Sequence, residues 1–430
     1  MQQDVLVKED NQGTNILVYG VVLMLLVFVA RIQELFAFLI PLRLGMVSVF
    51  LSLLLFLFAA KPKVSVALLK ISQVKIVLVI FALALFSIPF SYWPGHSFER
   101  AVEGFSVIIV FFLLVIYAVN NFKDLRKVIW SFVAGVFALA FFTVTSKATG
   151  RLTATYTYDP NDIAMLFVIA LPIIYFFMSS NKGLARLALF GSLIVVLFAF
   201  ILTASRGGFV GIVVISLLIL IKDNYRSWMA RIMLMSILIF SFVLFAPDTY
   251  WERIETIGDQ ADYNVQSDFG RKTLWLRGLG FMMENPLTGV GVGAFTTAIG
   301  HTYGQGVPGF RWQEAHNAFV QIGAELGVAG FILFILLIVS SMRLLRRMRA
   351  KYAHSQEDFK NHLWLTTALE ISLWGYVVTA MFLSAAYSPM FYFLIALCCV
   401  LAKLELMEES REQTVERTSG QEKYGQYDYS

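Results

Sequence analysis

A histidine lies where a long polar segment meets an apolar run. His316 belongs to the sequence Glu-Ala-His-Asn at 314–317, and the apolar run begins directly afterwards. An imidazole with an ordinary pKa of about 6.5 can accept a proton at neutral pH. Asn317, Gln321 and Glu325 follow at intervals of four, so they share one helix face and are candidate substrate-binding residues. Glu325 would lie about 12 Å along that helix at about 1.5 Å per residue, where an acid needs a partner.

Two arginines are candidates for binding an anion. Arg206 lies in Ser-Arg-Gly-Gly at 205–208, between two apolar runs, and Arg271 lies in Gly-Arg-Lys-Thr-Leu-Trp at 270–275. A guanidinium binds phosphate or pyrophosphate through paired hydrogen bonds. Neighbouring glycines let a ligand or another backbone approach closely. Each arginine also has a structural interpretation, because Arg206 could end a helix hairpin and Arg271 could belong to a solvated basic face.

A third polar segment extends from Arg151 to Asp162. Asp159 suits a helix N-cap, Pro160 suits the first helical position, and Asp162 suits the positive end of the helix dipole. This structural interpretation is sufficient for the segment. The functional alternative is that Arg151 and Asn161 line the same site as His316.

The pattern Gly-x-Gly-x-Gly at 289–293 resembles a nucleotide-binding loop. No strand-helix-strand unit surrounds it, and such a unit is needed for that interpretation. We therefore predict a turn in which the backbone packs closely against a neighbour.

The composition predicts the elements that must position these residues. Of the 430 residues, 58% are hydrophobic and only 15% are charged, whereas charged residues make up about 25% of soluble domains. Apolar runs of about 17–25 residues recur along the chain, each long enough to cross a bilayer. We predict an all-α, polytopic transmembrane bundle of about twelve spans. The predicted spans are roughly 15–31, 44–60, 74–92, 101–119, 127–145, 161–178, 185–203, 207–221, 229–246, 317–342, 362–384 and 388–402.

Positive charge predicts the orientation of these spans. Lys and Arg concentrate in alternate loops, with the largest cluster at 343–351, and positive loops mark the cytoplasmic side. Both termini are then cytoplasmic, and the long loop 247–316 is extracytoplasmic. Its tryptophans and an amphipathic stretch near 268–284 predict short helices on the membrane face. The predicted regions are spans one to nine at 1–246, this loop, spans ten to twelve at 317–402, and a disordered cytoplasmic tail at 403–430.

Other ligands and partners receive no support from the residues. The five histidines lack metal-ligand spacing. Cys398 and Cys399 are adjacent in the last apolar run, where they are interpreted as small apolar filler. We expect no metal, no cofactor and no nucleic-acid partner.

The order of these motifs resembles the O-antigen ligase/O-antigen polymerase family of bacterial envelope enzymes, over about 150–330. The resemblance implies a metal-independent, inverting glycosyltransferase of the GT-C type in the inner (plasma) membrane. Its donor would be an oligosaccharide on undecaprenyl pyrophosphate, used at the outer, periplasmic face among the membrane lipids. The acceptor would be lipid A-core for a ligase, another lipid-linked glycan for an O-antigen or exopolysaccharide polymerase, or a protein in the O-oligosaccharyltransferase branch. The catalytic residues would be His316, Arg206 and Arg271.

The motif around the histidine departs from part of that family. Many ligases resemble His-x-His-Asn at this position, whereas this chain has Glu314 in place of the first histidine. The departure slightly favours polymerisation, and both subtypes remain open.

Functions of other classes agree less well with the sequence. A lipid-linked glycan flippase or other transporter of twelve spans often has two halves joined by a central cytoplasmic loop, but the loop here between spans six and seven is short. A peptidoglycan glycosyltransferase would act on lipid II. A non-enzymatic scaffold would not explain the buried acid and the paired arginines.

Overall fold

The computed structural model describes residues 15–59, 68–146, 158–223, 227–229, 231–232, 236, 270–305, 312–353 and 357–425. These residues form the helices α1 Leu17–Ala30, α2 Leu44–Leu57, α3 Ser72–Ser87, α4 Pro94–Ala118, α5 Phe122–Thr145, α6 Pro160–Ser179, α7 Gly183–Leu202, α8 Arg206–Lys222, α9 Arg271–Glu284, α10 Phe295–Tyr303, α11 Ala318–Tyr352, α12 Glu357–Ala380 and α13 Pro389–Gly425. Shorter turns lie at Ile32–Leu35, Ala37–Leu42, Leu68–Lys70 and Ile88–Phe90, and α4 contains a π-helical segment, Glu99–Phe105. No strand occurs within the described ranges.

The predicted all-α membrane fold is confirmed. In the part of the chain that the structure describes, nine helices are long and apolar enough to cross a membrane. Two further predicted spans coincide with the shorter helices α1 and α8. The predicted span 229–246 lies mostly outside the described residues, so the total of about twelve stays a prediction.

Helices α6 and α13 form the centre of the bundle. α6 packs against α7 and α12, whereas α13 packs against α4 and α12. Almost every side chain of α6 is buried, as are those of α13 from Phe391 to Leu401. A helix that is apolar on all sides is expected to be surrounded by other helices. Both cysteines are free and buried in α13, which agrees with their interpretation as apolar filler.

Ion pairs join four helices at the end of the bundle where α11 terminates. The buried carboxylate of Glu370 on α12 lies 2.6 Å from Lys222 of α8, and it also pairs with Arg346 and Arg349 of α11. Glu405 on α13 pairs with other members of the positive cluster at 343–351. The hydropathy pattern indicated the positive charges of this cluster but not their partners.

The last helix continues beyond the predicted end of the final span. Residues 403–425 belong to α13, where a disordered tail was predicted. The buried ammonium of Lys403 donates to the carbonyls of Ile116 at 2.8 Å and Val119 at 2.9 Å, which are otherwise unpaired at the end of α4. Composition alone did not indicate that Lys403 and Glu405 are held by the bundle. Residues 426–430 lie outside the described part.

The described part of the long polar segment contains two short helices, as predicted. α9 packs against the first part of α11, and α10 also contacts α11. A small apolar core holds them there, and it includes Leu274, Phe281, Phe295 and Ile299. Residues 247–269 and 306–311 lie outside the described part. This small core packs α9 against the start of α11, close to His316.

Candidate active site

His316 lies in a strained turn immediately before α11. Its φ angle is 46°, in the left-handed region, which costs about 1–2 kcal/mol for a residue with a Cβ atom. Its backbone N–H donates to Ser384 Oγ at 2.9 Å. Asn317 then caps α11, because its side-chain oxygen accepts from the N–H groups of Phe319 at 2.9 Å and Val320 at 3.1 Å. Strain of this kind is commonly found at functional sites.

Arg271 is brought to this junction by α9. Trp275, one helical turn after Arg271, donates from its indole Nε1 to the carbonyl of Ala315 at 3.0 Å. The half-buried imidazole of His316 has its pKa lowered, first by burial and then by the positive charge of Arg271, while Glu314 and Asp159 act in the opposite direction. His316 is therefore held in its neutral form, which can accept a proton.

Arg206 is the first residue of α8, and Ser205 precedes it as the N-cap. Ser205 Oγ accepts from the N–H of Gly208 at 3.2 Å and donates to Asn161 Oδ1 at 2.8 Å. This hydrogen bond joins the first turns of α6 and α8. A Cβ atom on Gly207 would lie 3.0 Å from Phe382, and one on Gly208 would lie 2.8 Å from Ala164. The glycine pair thus serves close helix packing.

The start of α6 forms the predicted helix cap. Asp159 accepts from the backbone N–H groups of Asn161 at 2.6 Å and Asp162 at 3.0 Å. Asp162 completes a capping box by accepting from the N–H of Asp159 at 3.2 Å. Because Asp159 also acts electrostatically on His316, the same turn belongs to the surroundings of the candidate base. Arg151 lies outside the described residues.

Glu325 anchors the Gly-x-Gly-x-Gly segment. Its carboxylate accepts from the N–H of Gly293 at 2.8 Å, and only 2% of the residue is exposed. Two backbone hydrogen bonds hold the same segment. The N–H of Val290 donates to the carbonyl of Ala324 at 2.8 Å, and the N–H of Gly291 donates to the carbonyl of Glu325 at 3.1 Å. The partners of this buried acid are therefore backbone amides, together with the hydroxyl of Tyr387.

The three glycines of this segment confirm the predicted close-packed turn. Gly289, Gly291 and Gly293 have φ angles of 60°, 97° and 72°. A Cβ atom at Gly289 would lie 2.3 Å from the Glu325 backbone. Gly327, at φ 70°, interrupts the helical backbone of α11. At this point the N–H of Val328 donates to the carbonyl of Pro286 at 2.9 Å. These contacts show that the glycines serve the close approach of this segment to α11 and α4.

A cavity of about 910 Å³ opens beside the junction. Gln321 and Glu325 line it, together with Glu314, Ala315 and Ser384, which flank or bind His316. Gln321 also accepts from the N–H of Ala386 at 3.2 Å. Five predicted residues do not line this cavity, namely His316, Arg206, Arg271, Asn161 and Asn317. The structure thus places Glu314 and two polar side chains of α11 around one space, next to the turn that holds His316.

Several polar and aromatic residues of the cavity were not predicted. They lie before or within α4 and near the start of α13, and include Trp93, His96, Arg100 and Tyr387. The segment 93–100 was interpreted as a short loop, although α4 begins at Pro94. Proline at the first helical position was the available signal. Within the described ranges, no three His, Cys, Asp or Glu side chains form a cluster that could hold a metal ion.

A comparison with known protein families matches a part of the chain that contains several of these residues. Residues 191–335 match the O-antigen ligase family model. This match confirms the resemblance to the O-antigen ligase/polymerase family. The O-antigen ligase segment extends from α7 into α11, so it includes Arg206, Arg271 and His316. It also includes the Gly-x-Gly-x-Gly segment and Glu325, whereas α4 and the start of α6 lie outside it. No curated protein matches the chain.

Proposed function

We propose that the protein transfers a glycan from undecaprenyl pyrophosphate to an acceptor hydroxyl at the outer face of the plasma membrane. The O-antigen ligase family match supports an activity of the ligase or polymerase type, with a lipid-linked glycan donor. The proposal that His316 and Arg271 carry out this transfer rests on one observation. The imidazole of His316 is neutral, is affected by the charge of Arg271, and lies in a turn next to a large cavity.

In this mechanism, His316 is the general base. It takes the proton of the acceptor hydroxyl as that oxygen attacks the anomeric carbon of the donor sugar. The bond from the anomeric carbon to the pyrophosphate oxygen breaks on the opposite side, so the configuration inverts. A base with a lowered pKa is already unprotonated at neutral pH, and burial beside Arg271 supplies that condition.

Arg206 and Arg271 stabilise the leaving group in this proposal. Undecaprenyl pyrophosphate departs as an anion, and two guanidinium groups offset its developing charge without a metal ion. Each arginine begins a helix, Arg206 in α8 and Arg271 in α9, so the positive helix ends act in the same sense. No nucleotide is consumed, because the pyrophosphate linkage is already activated.

The proposed arrangement in the membrane has both termini in the cytoplasm and α9, α10 and His316 outside. The positive cluster at 343–351 lies in the last part of α11 and His316 lies before its start, so residues 318–342 of that helix separate them. About 20 residues suffice to cross the hydrocarbon core. The proposed regions are the helices before residue 247, the segment 247–316, the helices from 317 to 402, and the cytoplasmic residues after 402.

The activity and its acceptor are tested together by reconstitution. Purified protein is incubated with an undecaprenyl-pyrophosphate oligosaccharide, with and without lipid A-core, and the products are separated by size. A ladder of longer lipid-linked glycans without lipid A-core identifies a polymerase, and transfer only with lipid A-core identifies a ligase. Unchanged donor under both conditions, in protein that retains its fold, would contradict the proposed function.

A further inference from the structure

One wall of the cavity carries an aromatic surface next to an arginine. Trp93 immediately precedes α4, His96 lies in its first turn and Arg100 lies in its π-helical segment, and all three line the cavity. The rings of Trp93 and His96 are stacked, with centroids 5.0 Å apart and planes at 27°. Arg100 Nε donates to His96 Nε2 at 3.4 Å. The three side chains therefore form one continuous surface.

The stem of Arg100 is held against the Gly-x-Gly-x-Gly segment. A Cβ atom on Gly293 would lie 2.6 Å from Arg100 Cγ, so only glycine leaves room for the stem. The N–H of Gly293 is bonded to Glu325, which ties this contact to the buried anchor of α11. In the part of the chain that is described, no carboxylate forms an ion pair with Arg100.

The rest of the cavity presents groups that suit sugar hydroxyls. Thr296 and Thr297 lie on its lining, and so does the phenol of Tyr387. The buried hydroxyl of Tyr387 interacts with the carboxyl group of Glu325, which also lines the cavity. The threonine hydroxyls can both donate hydrogen bonds to a sugar and accept them from it.

We propose that Trp93, His96 and Arg100 form a subsite for an acidic sugar of the glycan, with the sugar ring on Trp93 and its carboxylate on Arg100. The inference rests on the proposed function and names the class of glycan. The apolar face of a pyranose packs on an indole, and a guanidinium binds a carboxylate through two hydrogen bonds. Asp162, Glu314 and Glu325 also line the cavity, so a sugar carboxylate is repelled from these acids and attracted to Arg100.

The subsite is tested by binding, without turnover. The probes are trigalacturonate and its neutral methyl ester, titrated by calorimetry into protein held in nanodiscs of uncharged lipid. Wild-type protein is expected to bind trigalacturonate about tenfold tighter than the ester, because a carboxylate paired with a guanidinium gains a charge-assisted bond. Arg100→Gln is expected to remove that preference and keep the binding of the ester, whereas Trp93→Ala weakens both.

Matched controls separate the subsite from general effects. Arg186→Gln removes a positive charge from the start of α7, and Phe98→Ala removes an exposed aromatic ring that does not line the cavity. Neither is expected to change the affinity for trigalacturonate or for the ester. Equal affinity for both probes in the wild type, no binding of either, or an unchanged preference in Arg100→Gln would overturn the inference.

Failure of the subsite is distinguishable from failure of the proposed function. His316→Ala is expected to keep the preference for trigalacturonate while losing transfer from the lipid-linked donor. Transfer that persists in His316→Ala contradicts the proposed function, whatever the binding results are. Transfer that depends on His316 while Arg100→Gln retains its preference contradicts the subsite alone.

Discussion

Replacing Glu325 tests how the Gly-x-Gly-x-Gly segment is held on α11. Glu325→Ala removes the acceptor of the Gly293 N–H, a bond of 2.8 Å at a residue only 2% exposed. Leaving a buried N–H without its acceptor costs about 1–3 kcal/mol, so the equilibrium between docked and undocked segment changes by roughly 5- to 150-fold. The backbone bonds of Val290 and Gly291 remain, so the segment is expected to open more often without unfolding the bundle.

Hydrogen exchange of the amides at 289–293, followed by mass spectrometry in nanodiscs, measures this opening. Exchange in Glu325→Ala is expected to be faster by that factor. Glu325→Gln keeps a carbonyl oxygen for the Gly293 N–H, so its exchange should stay within a few-fold of wild type. Glu103→Ala, which removes an exposed carboxylate from α4, is the matched control. Wild-type exchange rates in Glu325→Ala would refute the anchoring function of the carboxylate.

Three further predictions concern the other parts of the site. Gly289→Ala places a Cβ atom 2.3 Å from a facing backbone atom at φ 60°, so the free energy of unfolding should fall by more than the roughly 1–2 kcal/mol of the φ angle alone, and thermal unfolding should begin at a lower temperature. The control is Gly280→Ala, which has open space around it in α9 and should not destabilise the protein. Arg271→Gln removes a charge that lowers the pKa of His316. The acid limb of the pH profile of kcat/KM, expected below pH 6.5 in the wild type, should therefore move to higher pH. An unmoved limb would contradict the assignment of His316 as the base. Arg206→Lys keeps the charge and loses the paired geometry, so transfer should fall by about 10- to 100-fold, and full activity would contradict a two-bond clamp.

The elements of the fold were predictable because the membrane imposes a simple pattern. Apolar length predicted helices such as α5, α6 and α7 with boundaries a few residues from the observed ones, since hydrocarbon requires about 20 apolar residues. The cap at Asp159 was also predictable, because its bonds are local in sequence. The continuation of α13 was missed, because it depends on Lys403 meeting carbonyls almost 290 residues away.

The sequence indicated candidate residues for the site but not the shape of the cavity. His316, Arg206 and Arg271 were identifiable because charged or titratable groups are rare beside apolar runs. Their arrangement depends on contacts that no local pattern encodes, such as the bond from Trp275 to Ala315. Arg100 was missed for a related reason, because its position on the cavity wall results from packing against Gly293.

The central claim is that His316 acts as the base in glycan transfer. The most direct measurement is the rate of transfer from a purified undecaprenyl-pyrophosphate oligosaccharide by His316→Ala. The control is His301→Ala, which removes a histidine of α10 that the mechanism does not use. His316→Ala is expected to remain inserted and folded, with transfer reduced by about 10²- to 10⁴-fold, the usual contribution of a general base. His301→Ala is expected to be active. Transfer at the wild-type rate by folded His316→Ala would contradict the account.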